Sequence, residues 1–335
     1  MALATILNSM DEIKTCCYKE DNGHECHAPA LASGLCYWHD PKQLKDSPDT
    51  AKQLEEFAHQ GGMLRGIHLR HANLEGIDLV HHHSKTGYDM SHADLYRANL
   101  QGAHLFNLNL DKANVMKADL RDANLHLTKL SQANLLGVKW AGAKIENVHI
   151  GGDIIQEQQA YRALKLDEHE IAQDYFEQAE EIYRDLRKAA EHEGLFAMAG
   201  EYIQKELTMR RQQMPKYSQQ RMVSKLIDMF CGYGEAPLRV IFFSLALIVC
   251  CACVYFFTGL MFNGQTHVAH ANMQFSEYLS LFFNCLYYSV VTFTTLGYGD
   301  FTPVGFSKAV AAFEAFTGSF TIALFVVVFV KKMTR

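Results

Sequence analysis

The pattern of apolar and polar residues divides this chain into stretches of different period. Residues 63–152 carry a large apolar residue at every fifth position, residues 156–214 have helical character, and two long apolar runs follow residue 238. A five-residue period fits neither a helix, with 3.6 residues per turn, nor a strand, with two. We therefore predict a multidomain chain that joins a solenoid, helices and a membrane region.

The five-residue repeat has a constant chemistry. Its centre is a large aliphatic residue, an alanine precedes the centre by two positions, and an aspartate or asparagine lies between them, as in Ala93-Asp94-Leu95. This pattern resembles the pentapeptide-repeat family, which implies a right-handed quadrilateral β-helix with one repeat on each side of a square coil. The stretch then predicts about four coils stacked at ~4.8 Å, which provide a rigid surface and no chemistry of their own.

One interruption breaks the register of the repeat. Leu79 and Met90 are eleven residues apart instead of ten, and the extra residue falls within residues 80–87, which contain three consecutive histidines. A bulged surface loop is the favoured interpretation, and metal binding by the histidine run is the alternative.

Residues 156–214 contain no proline and are rich in Ala, Glu, Gln, Leu and Arg. The pieces 179–192 and 195–211, separated by Gly194, predict an antiparallel helical hairpin. Its spacing is weakly similar to tetratricopeptide-type hairpins, which implies peptide binding, although a plain linker is the favoured interpretation. The predicted buried face consists of Leu186, Ala190, Phe196, Ala199 and Ile203.

The first 60 residues contain a cluster of metal-binding residue types: Cys16, Cys17, Cys26, Cys36 and His39. Zinc favours four such ligands in a tetrahedron, and three cysteines with one histidine are a common structural set. The cluster resembles small Cys3His zinc modules, so we predict a zinc ion that stabilises a module too short to fold unaided. Either Cys16 or Cys17 completes the set, and a leader with incidental cysteines is the alternative. His24 and His27 are spare candidates.

Charge separates the C-terminal region from the rest. Residues 240–307 include no lysine or arginine and only two acidic residues. About 20 apolar residues cross the hydrocarbon core of a bilayer, so the runs 238–261 and 304–330 predict two membrane-spanning helices. The basic, amphipathic residues 218–236 predict a helix that lies in the membrane interface.

Cations flank both predicted spans on the same side, which places both termini in the cytosol. There the clustered cysteines stay reduced. The flanking cations are Lys216, Arg221, Lys225 and Arg239 before the first span, and Lys331, Lys332 and Arg335 after the second.

The segment between the two spans is unusual. An apolar stretch, 277–293, is too short for a third span, and the glycine-containing run Thr294-Thr295-Leu296-Gly297-Tyr298-Gly299-Asp300 follows it. Irregular backbone at membrane depth is tolerated only where it is buried in protein or lines a watery path. Alternating glycines allow the backbone to alternate its handedness, so that its carbonyl groups point one way. Four copies around an axis would then form rings of oxygens able to replace the hydration shell of an ion.

This run resembles the T-V-G-Y-G filter of potassium channels, with Leu296 in place of the usual valine. The order of span, pore helix, filter and span is similar to two-transmembrane potassium channels, chiefly prokaryotic ones. The resemblance implies a homotetramer in a bacterial inner membrane that conducts K⁺. It also implies that the backbone of Thr295, Leu296, Gly297, Tyr298 and Gly299 binds the ion.

The same resemblance assigns supporting roles. Asp300 caps the outer end of the filter and accepts a hydrogen bond from Tyr288, and Glu314 is bonded to the pore helix behind the filter. Gly318 is either a gating hinge or a site of close helix packing. Phe325 or Phe329 forms a gate at the cytosolic side.

The sequence predicts no enzyme, since it contains no nucleophile–base pattern. It also lacks an arginine-rich voltage-sensing span and a G-x-G-x-x-G nucleotide-binding fingerprint, and nucleic acid is not an expected partner. We predict a tetrameric potassium channel whose cytosolic region serves assembly or an unidentified regulatory ligand. A membrane-anchored pentapeptide-repeat scaffold is the alternative. The predicted domains are a zinc module at 1–60, a β-helix at 63–152, a helical hairpin or linker at 156–214, an interfacial helix at 218–236 and a pore domain at 238–335.

Overall fold

The computed structural model describes residues 14–20, 23–82, 84–270 and 273–333. His83 and Arg335, which entered the predictions above, lie outside these ranges. The chain forms two compact units, Met1–Pro215 and Lys216–Arg335. Its helices and strands are α1 (Thr50–His59), α2 (Ile155–Lys165), α3 (His169–His192), α4 (Phe196–Gln213), α5 (Gln219–Cys231), α6 (Pro237–Thr258), β1 (Leu260–Phe262), β2 (Gln265–His267), α7 (Phe275–Phe293), β3 (Phe301–Pro303) and α8 (Ser307–Met333).

The repeat region winds so that residues twenty positions apart lie side by side. Asp89 forms a parallel bridge with Asn109, Asn109 with Lys129, and Lys129 with His149, and three further ladders follow the same rule. Twenty residues therefore make one coil of four repeats. The central residues of the repeats, such as Leu100 and Leu120, are fully buried along the axis of the coils.

The corner of each repeat gives a physical reason for two of its recurring features, the left-handed residue and the aspartate or asparagine. Two residues after most of the centres, the backbone is left-handed, for example at Arg97 with φ of 56°, as in the third position of a type II turn. The carboxylate of Asp94 accepts a hydrogen bond from the backbone N–H of Tyr96 at 3.2 Å and another from the Asn114 side chain of the next coil at 3.0 Å. Aspartate and asparagine therefore stabilise the turn and link neighbouring coils.

The interruption is larger than the sequence count suggested. In the first coil, His68 pairs with Asp94, twenty-six residues away instead of twenty. The chain passes from the Asp78 ladder to the Asp89 ladder in one step, so the loop holds six extra residues, and the predicted count of one was wrong. The side chain of His81 stacks on Tyr88 with ring centroids 4.4 Å apart.

Both ends of the coil stack are covered within the N-terminal unit. At the first end, the Trp38 carbonyl accepts a hydrogen bond from the backbone of His68 at 2.9 Å, and Glu55 of α1 accepts one from the backbone of Asp78 at 2.7 Å. At the other end, the side chain of Gln156 of α2 donates to Asn134 at 2.7 Å. One hydrophobic core continues through the cysteine-rich segment, the coils and the helices.

Three helices, α2, α3 and α4, follow the coils, where the sequence predicted two. Helix α3 begins at His169, ten residues before the predicted start. Arg187 of α3 donates to Glu206 of α4 at 2.7 Å, and Tyr183 of α3 donates to Glu157 of α2 at 2.6 Å. Of the predicted buried face, Leu186, Ala190 and Ala199 are buried, whereas Phe196 is exposed and Ile203 is half-buried.

In the C-terminal unit, α6 and α8 are long and apolar enough to cross a membrane. Helix α7 lies between them in the chain and packs against both. Three short strands form an antiparallel sheet in the order β2-β1-β3. This sheet joins the segment after α6 to the segment that precedes α8, and the rings of Phe262 and Phe301 stack across it at 4.7 Å.

Candidate functional site

The glycine-containing run after α7 alternates its backbone handedness. Thr295, Gly297 and Gly299 have φ of 58°, 56° and 78°, whereas Leu296 and Tyr298 between them do not have positive φ. Left-handed backbone is unfavourable for a β-branched residue such as Thr295 and costs on the order of 1–3 kcal/mol. The left-handed backbone of Thr295 is therefore imposed by the surrounding structure, because only glycine adopts positive φ freely.

The same run is open to solvent in the single chain. The side chains of Leu296 and Tyr298 are 60% and 66% exposed, although one is apolar and the other aromatic. The backbone N–H of Leu296 donates to the Val291 carbonyl at 3.0 Å, which ties the start of the run to the last turn of α7. The carboxyl end of a helix carries a partial negative charge, so α7 directs a potential that favours cations toward this segment.

Glu314 of α8 is completely buried and joins three helices. Its carboxylate accepts a hydrogen bond from the hydroxyl of Tyr255 of α6 at 2.6 Å and a second from Ser289 of α7. The structure thus places Glu314 against the helix that precedes the run. Sequence reasoning missed Tyr255 and Ser289, although polar residues within apolar spans are a recognised signal of functional sites.

Gly318 of α8 lies against the end of α7. A Cβ atom at this position would be 2.1 Å from the carbonyl oxygen of Phe293. Only glycine permits this approach. Helix α8 continues without interruption through Gly318, so close packing accounts for the glycine, and its role as a hinge stays a prediction.

The residue beside Asp300 is Tyr287, and the predicted bond between Tyr288 and Asp300 is wrong. The Tyr287 side chain interacts with the Asp300 carboxylate. Tyr288 instead turns inward and packs edge-on against Tyr255 with ring centroids 5.0 Å apart. Consecutive helical residues point about 100° apart, so only one of the two tyrosines can reach Asp300.

The far end of α8 contains the two predicted gate residues. The rings of Phe325 and Phe329 stack at 5.6 Å. Two residues further on, Lys331 forms an ion pair with Glu235, which lies two residues before the start of α6. This pair joins the ends of the two apolar helices, and no pattern in the sequence predicts it.

A second site lies in the N-terminal unit. The ligand atoms of Cys16, Cys26, Cys36 and His39 lie within 4.8 Å of one another, and all four side chains are buried. Cys17 is exposed and outside the group. The structure therefore selects Cys16 from the two adjacent cysteines that the sequence left open. His24 and His27 line a separate cavity of about 610 Å³.

The hydrogen bonds around this group suit a metal ion. The Nε2 atom of His39 lies 2.9 Å from the Arg65 carbonyl oxygen and must carry the proton, because a carbonyl only accepts. The Nδ1 atom, 3.0 Å from the Cys36 sulfur, is then free to bind a metal. The backbone N–H of Cys36 donates to the Cys16 sulfur at 3.2 Å. Burial raises the pKa of the Cys26 thiol to about 12, so without a metal this sulfur stays protonated.

Comparisons with known families identify the two regions. Residues 242–335 match the family described as ion channel. Residues 89–122 and 98–137 match the family described as pentapeptide repeats (8 copies). The chain therefore contains an ion channel domain and a pentapeptide-repeat region, and the channel domain and its two apolar helices indicate a membrane protein. Neither family is one of enzymes.

Solved structures of pentapeptide repeat proteins also match, while no curated protein does. One from Nostoc Pcc 7120 is 32% identical, with 34% of this chain and 92% of that chain covered and a TM-score of 0.26. One from the cyanobacterium Cyanothece 51142 is 23% identical, with 27% and 80% covered and a TM-score of 0.14. One from the Arabidopsis thaliana thylakoid lumen is 24% identical, with 30% and 77% covered and a TM-score of 0.12.

Proposed function

We propose that four copies of the C-terminal unit form a potassium-selective pore. The observation that carries this proposal is the alternating backbone of Thr295, Gly297 and Gly299, in an exposed run between two apolar helices. Alternating handedness brings successive carbonyl groups to the same side of the chain. A single chain supplies one wall of oxygens, and a ring needs copies around an axis.

Selectivity for K⁺ follows from the ligands. The backbone oxygens of residues 295–299 replace the hydration shell of the ion, and Tyr287 and Asp300 brace the outer end of this filter. The resemblance of the run to T-V-G-Y-G supports potassium over other cations. Leu296 keeps an apolar side chain at the substituted position, directed away from the ion.

The pore sits in a bacterial inner membrane with both termini in the cytosol. Along one stripe of α5, Met222, Leu226 and Met229 are about two-thirds exposed. This helix lies in the interface, where lipid covers the stripe. The repeat region is a right-handed quadrilateral β-helix that serves assembly or regulation.

Zinc occupies the Cys16, Cys26, Cys36 and His39 group. Three sulfurs and one imidazole nitrogen are the ligands of a closed, structural zinc site. The ion holds the cysteine-rich segment in place over the first coil and supplies folding energy that a short segment cannot gain from burial alone.

Flux measurements on the full-length protein in liposomes test the pore. We expect K⁺ flux to exceed Na⁺ flux clearly, because the carbonyl oxygens replace the hydration shell of K⁺, and we expect Gly297→Ala to abolish the K⁺ flux. Gly305→Ala is the matched control, because Gly305 has the same φ of 56° but lies beyond the run. Equal fluxes of both ions would refute selectivity, and a monomer in native mass spectrometry would refute the ring.

A further inference from the structure

The coils bring outward-pointing charged residues that are far apart in the sequence onto the same side of the stack. Cationic and anionic residues alternate irregularly along the sequence, yet one side of the coil stack carries mostly cations. We call this side the basic face. It includes Arg70, His71, His92, Arg97, Lys112 and Lys117. Asp94 lies on the same side and pairs with Arg70 at 3.6 Å, so the excess of cations on this face comes from Arg97, Lys112 and Lys117.

Backbone hydrogen bonds place these residues in two columns. Arg97 donates to the Met116 carbonyl at 3.0 Å, which brings it beside Lys117 of the next coil. His92 donates to the Asp111 carbonyl at 3.0 Å, which brings it beside Lys112. The charges of Arg97 and Lys117, on neighbouring strands ~4.8 Å apart, repel each other. Lys112 and Lys117 are exposed, and no residue in the described ranges forms an ion pair with either.

Helix α3 carries the opposite charge on its exposed surface. Glu170, Asp174, Glu177 and Glu181 are all exposed and follow a spacing of four, three and four residues, so they share one side of the helix. We call them the acidic stripe. Like charges at these spacings destabilise a helix by a few tenths of a kcal/mol each. Within the part of the chain that is described, these four carboxylates have no cationic partner.

The acidic stripe is about as long as the greatest possible distance between the two columns of the basic face. From Glu170 to Glu181 the acidic stripe rises eleven residue steps along the helix, or about 16 Å. The two columns of the basic face are five residues apart along the chain, at most about 17 Å. Both surfaces belong to the same unit and both remain exposed there, so they do not meet within one chain.

We propose that the basic face of one copy binds the acidic stripe of the next copy around the pore axis. This inference rests on the proposed tetramer. A contact between two different patches generates a ring when its rotation closes, and four chains joined in one pore hold the two patches at high local concentration. Docking relieves the repulsion within each surface. The partner that fits is therefore a second copy of this chain.

Cross-linking in the full-length tetramer, purified in uncharged detergent, tests the contact. The double variant Lys117→Cys/Glu177→Cys is treated with a short bis-maleimide linker. We expect covalent dimers to tetramers in denaturing gels, whereas each single variant and the unchanged protein, with its exposed Cys17, Cys250 and Cys253, give none. Cross-links in a single variant would indicate a symmetric contact of like patches and overturn the proposal. A cross-link between the two cysteines of a single chain would also overturn the proposal, because it would show that the two patches meet within one copy.

Charge reversal then tests the chemistry. In the double-cysteine background, Arg97→Glu should reduce the yield about tenfold, since it replaces attraction by repulsion, and adding Glu181→Arg should restore it. Lys144→Glu, on a different ladder of the coil, should leave the yield unchanged. An intact tetramer without cross-links refutes this inference and leaves the pore standing, whereas absence of the tetramer refutes the proposed function itself. A cross-link that forms only when anionic lipid is added would assign the basic face to the membrane surface and overturn the proposal.

Discussion

Gly318 and Phe293 are in such close contact that one added methyl group would lie 2.1 Å from the Phe293 carbonyl oxygen. Phe293 ends α7, one residue before the filter run begins. The position of α8 is therefore coupled directly to the position of the proposed filter.

Substituting Gly318→Ala should displace α7 or α8 and impair conduction. Overpacking of this kind costs about 1–3 kcal/mol, and we expect at least a tenfold loss of K⁺ flux in liposomes, the equivalent of about 1.4 kcal/mol. Ser319→Ala, at the exposed neighbouring position, should conduct normally. Unchanged flux in Gly318→Ala would mean that the helices separate at this point in the conducting state.

Tyr287→Phe should destabilise the outer end of the filter, and Tyr288→Phe should have less effect. Both variants remove one hydroxyl group, but only Tyr287 contacts Asp300. Loss of that bond costs about 1 kcal/mol, which should appear as faster decay of the current during sustained activation. If Asp300→Asn adds nothing to the Tyr287→Phe effect, the two residues act as a pair. The reverse order of the two tyrosine variants would contradict the structure.

Cys26→Ser should remove zinc from the purified protein, and Cys17→Ser should not. Cys26 is buried in the four-residue group, whereas Cys17 is exposed beside it. We expect metal analysis to give about one zinc per chain in the unchanged protein and a large loss in Cys26→Ser, because three ligands hold a structural ion poorly. Both tryptophans, Trp38 and Trp140, lie in the N-terminal unit. Their fluorescence should report a lower urea midpoint for Cys26→Ser in the full-length protein.

Acid should weaken the coils through Asp119. Hydrogen bonds from Arg121, assisted by Lys139, lower the pKa of this carboxyl group to about 2. The value in the unfolded chain is about 4, so Asp119 stabilises the folded state fully above that pH and loses its contribution as the pH falls from 4 to 2. Because both partners are largely exposed, we expect about 1 kcal/mol. The difference in urea midpoint between the unchanged protein and Asp119→Asn should shrink below about pH 4, while Asp122→Asn should match the unchanged protein throughout.

Breaking the ion pair of Glu235 and Lys331 should alter gating. The pair joins the start of α6 to the end of α8, and the Glu235 side chain is only 12% exposed. Lys331→Met removes the ion pair that links this carboxylate to α8, at a cost of about 1 kcal/mol, so the equilibrium between open and closed states should shift severalfold. Single-channel recording measures the open probability, and Lys332→Met is the control. An equal effect of both variants would indicate a general loss of charge.

Periodic features of this protein were accessible from the sequence. The five-residue period predicts the coils because every central leucine contributes to the same buried axis. The glycines at 297 and 299 predict the alternating backbone, since positive φ is easy for glycine. Thr295 gives no such signal, because its left-handed backbone is imposed by its neighbours.

The sequence could not decide which of two adjacent residues of the same type takes part in a site. Cys16 and Cys17 point to opposite sides of an extended segment, and only the fold shows which side faces His39. Tyr287 and Tyr288 differ in the same way, and the packing of Tyr288 on Tyr255 decides between them. The number of extra residues in the loop after Asp78 was predicted wrongly, because nothing in the sequence of a loop shows which ladder the chain joins when it returns to the coil.

The closed ends of the coil stack have a consequence for how this unit can change. Inserting twenty residues would lift one cap from the other by ~4.8 Å while preserving their mutual orientation. Inserting five would instead swing one cap by a quarter turn. The length of the region therefore sets the distance between the two caps in steps of one coil, and their relative rotation in steps of one repeat. Single-residue changes of length can be absorbed only in loops such as the one that carries the histidines.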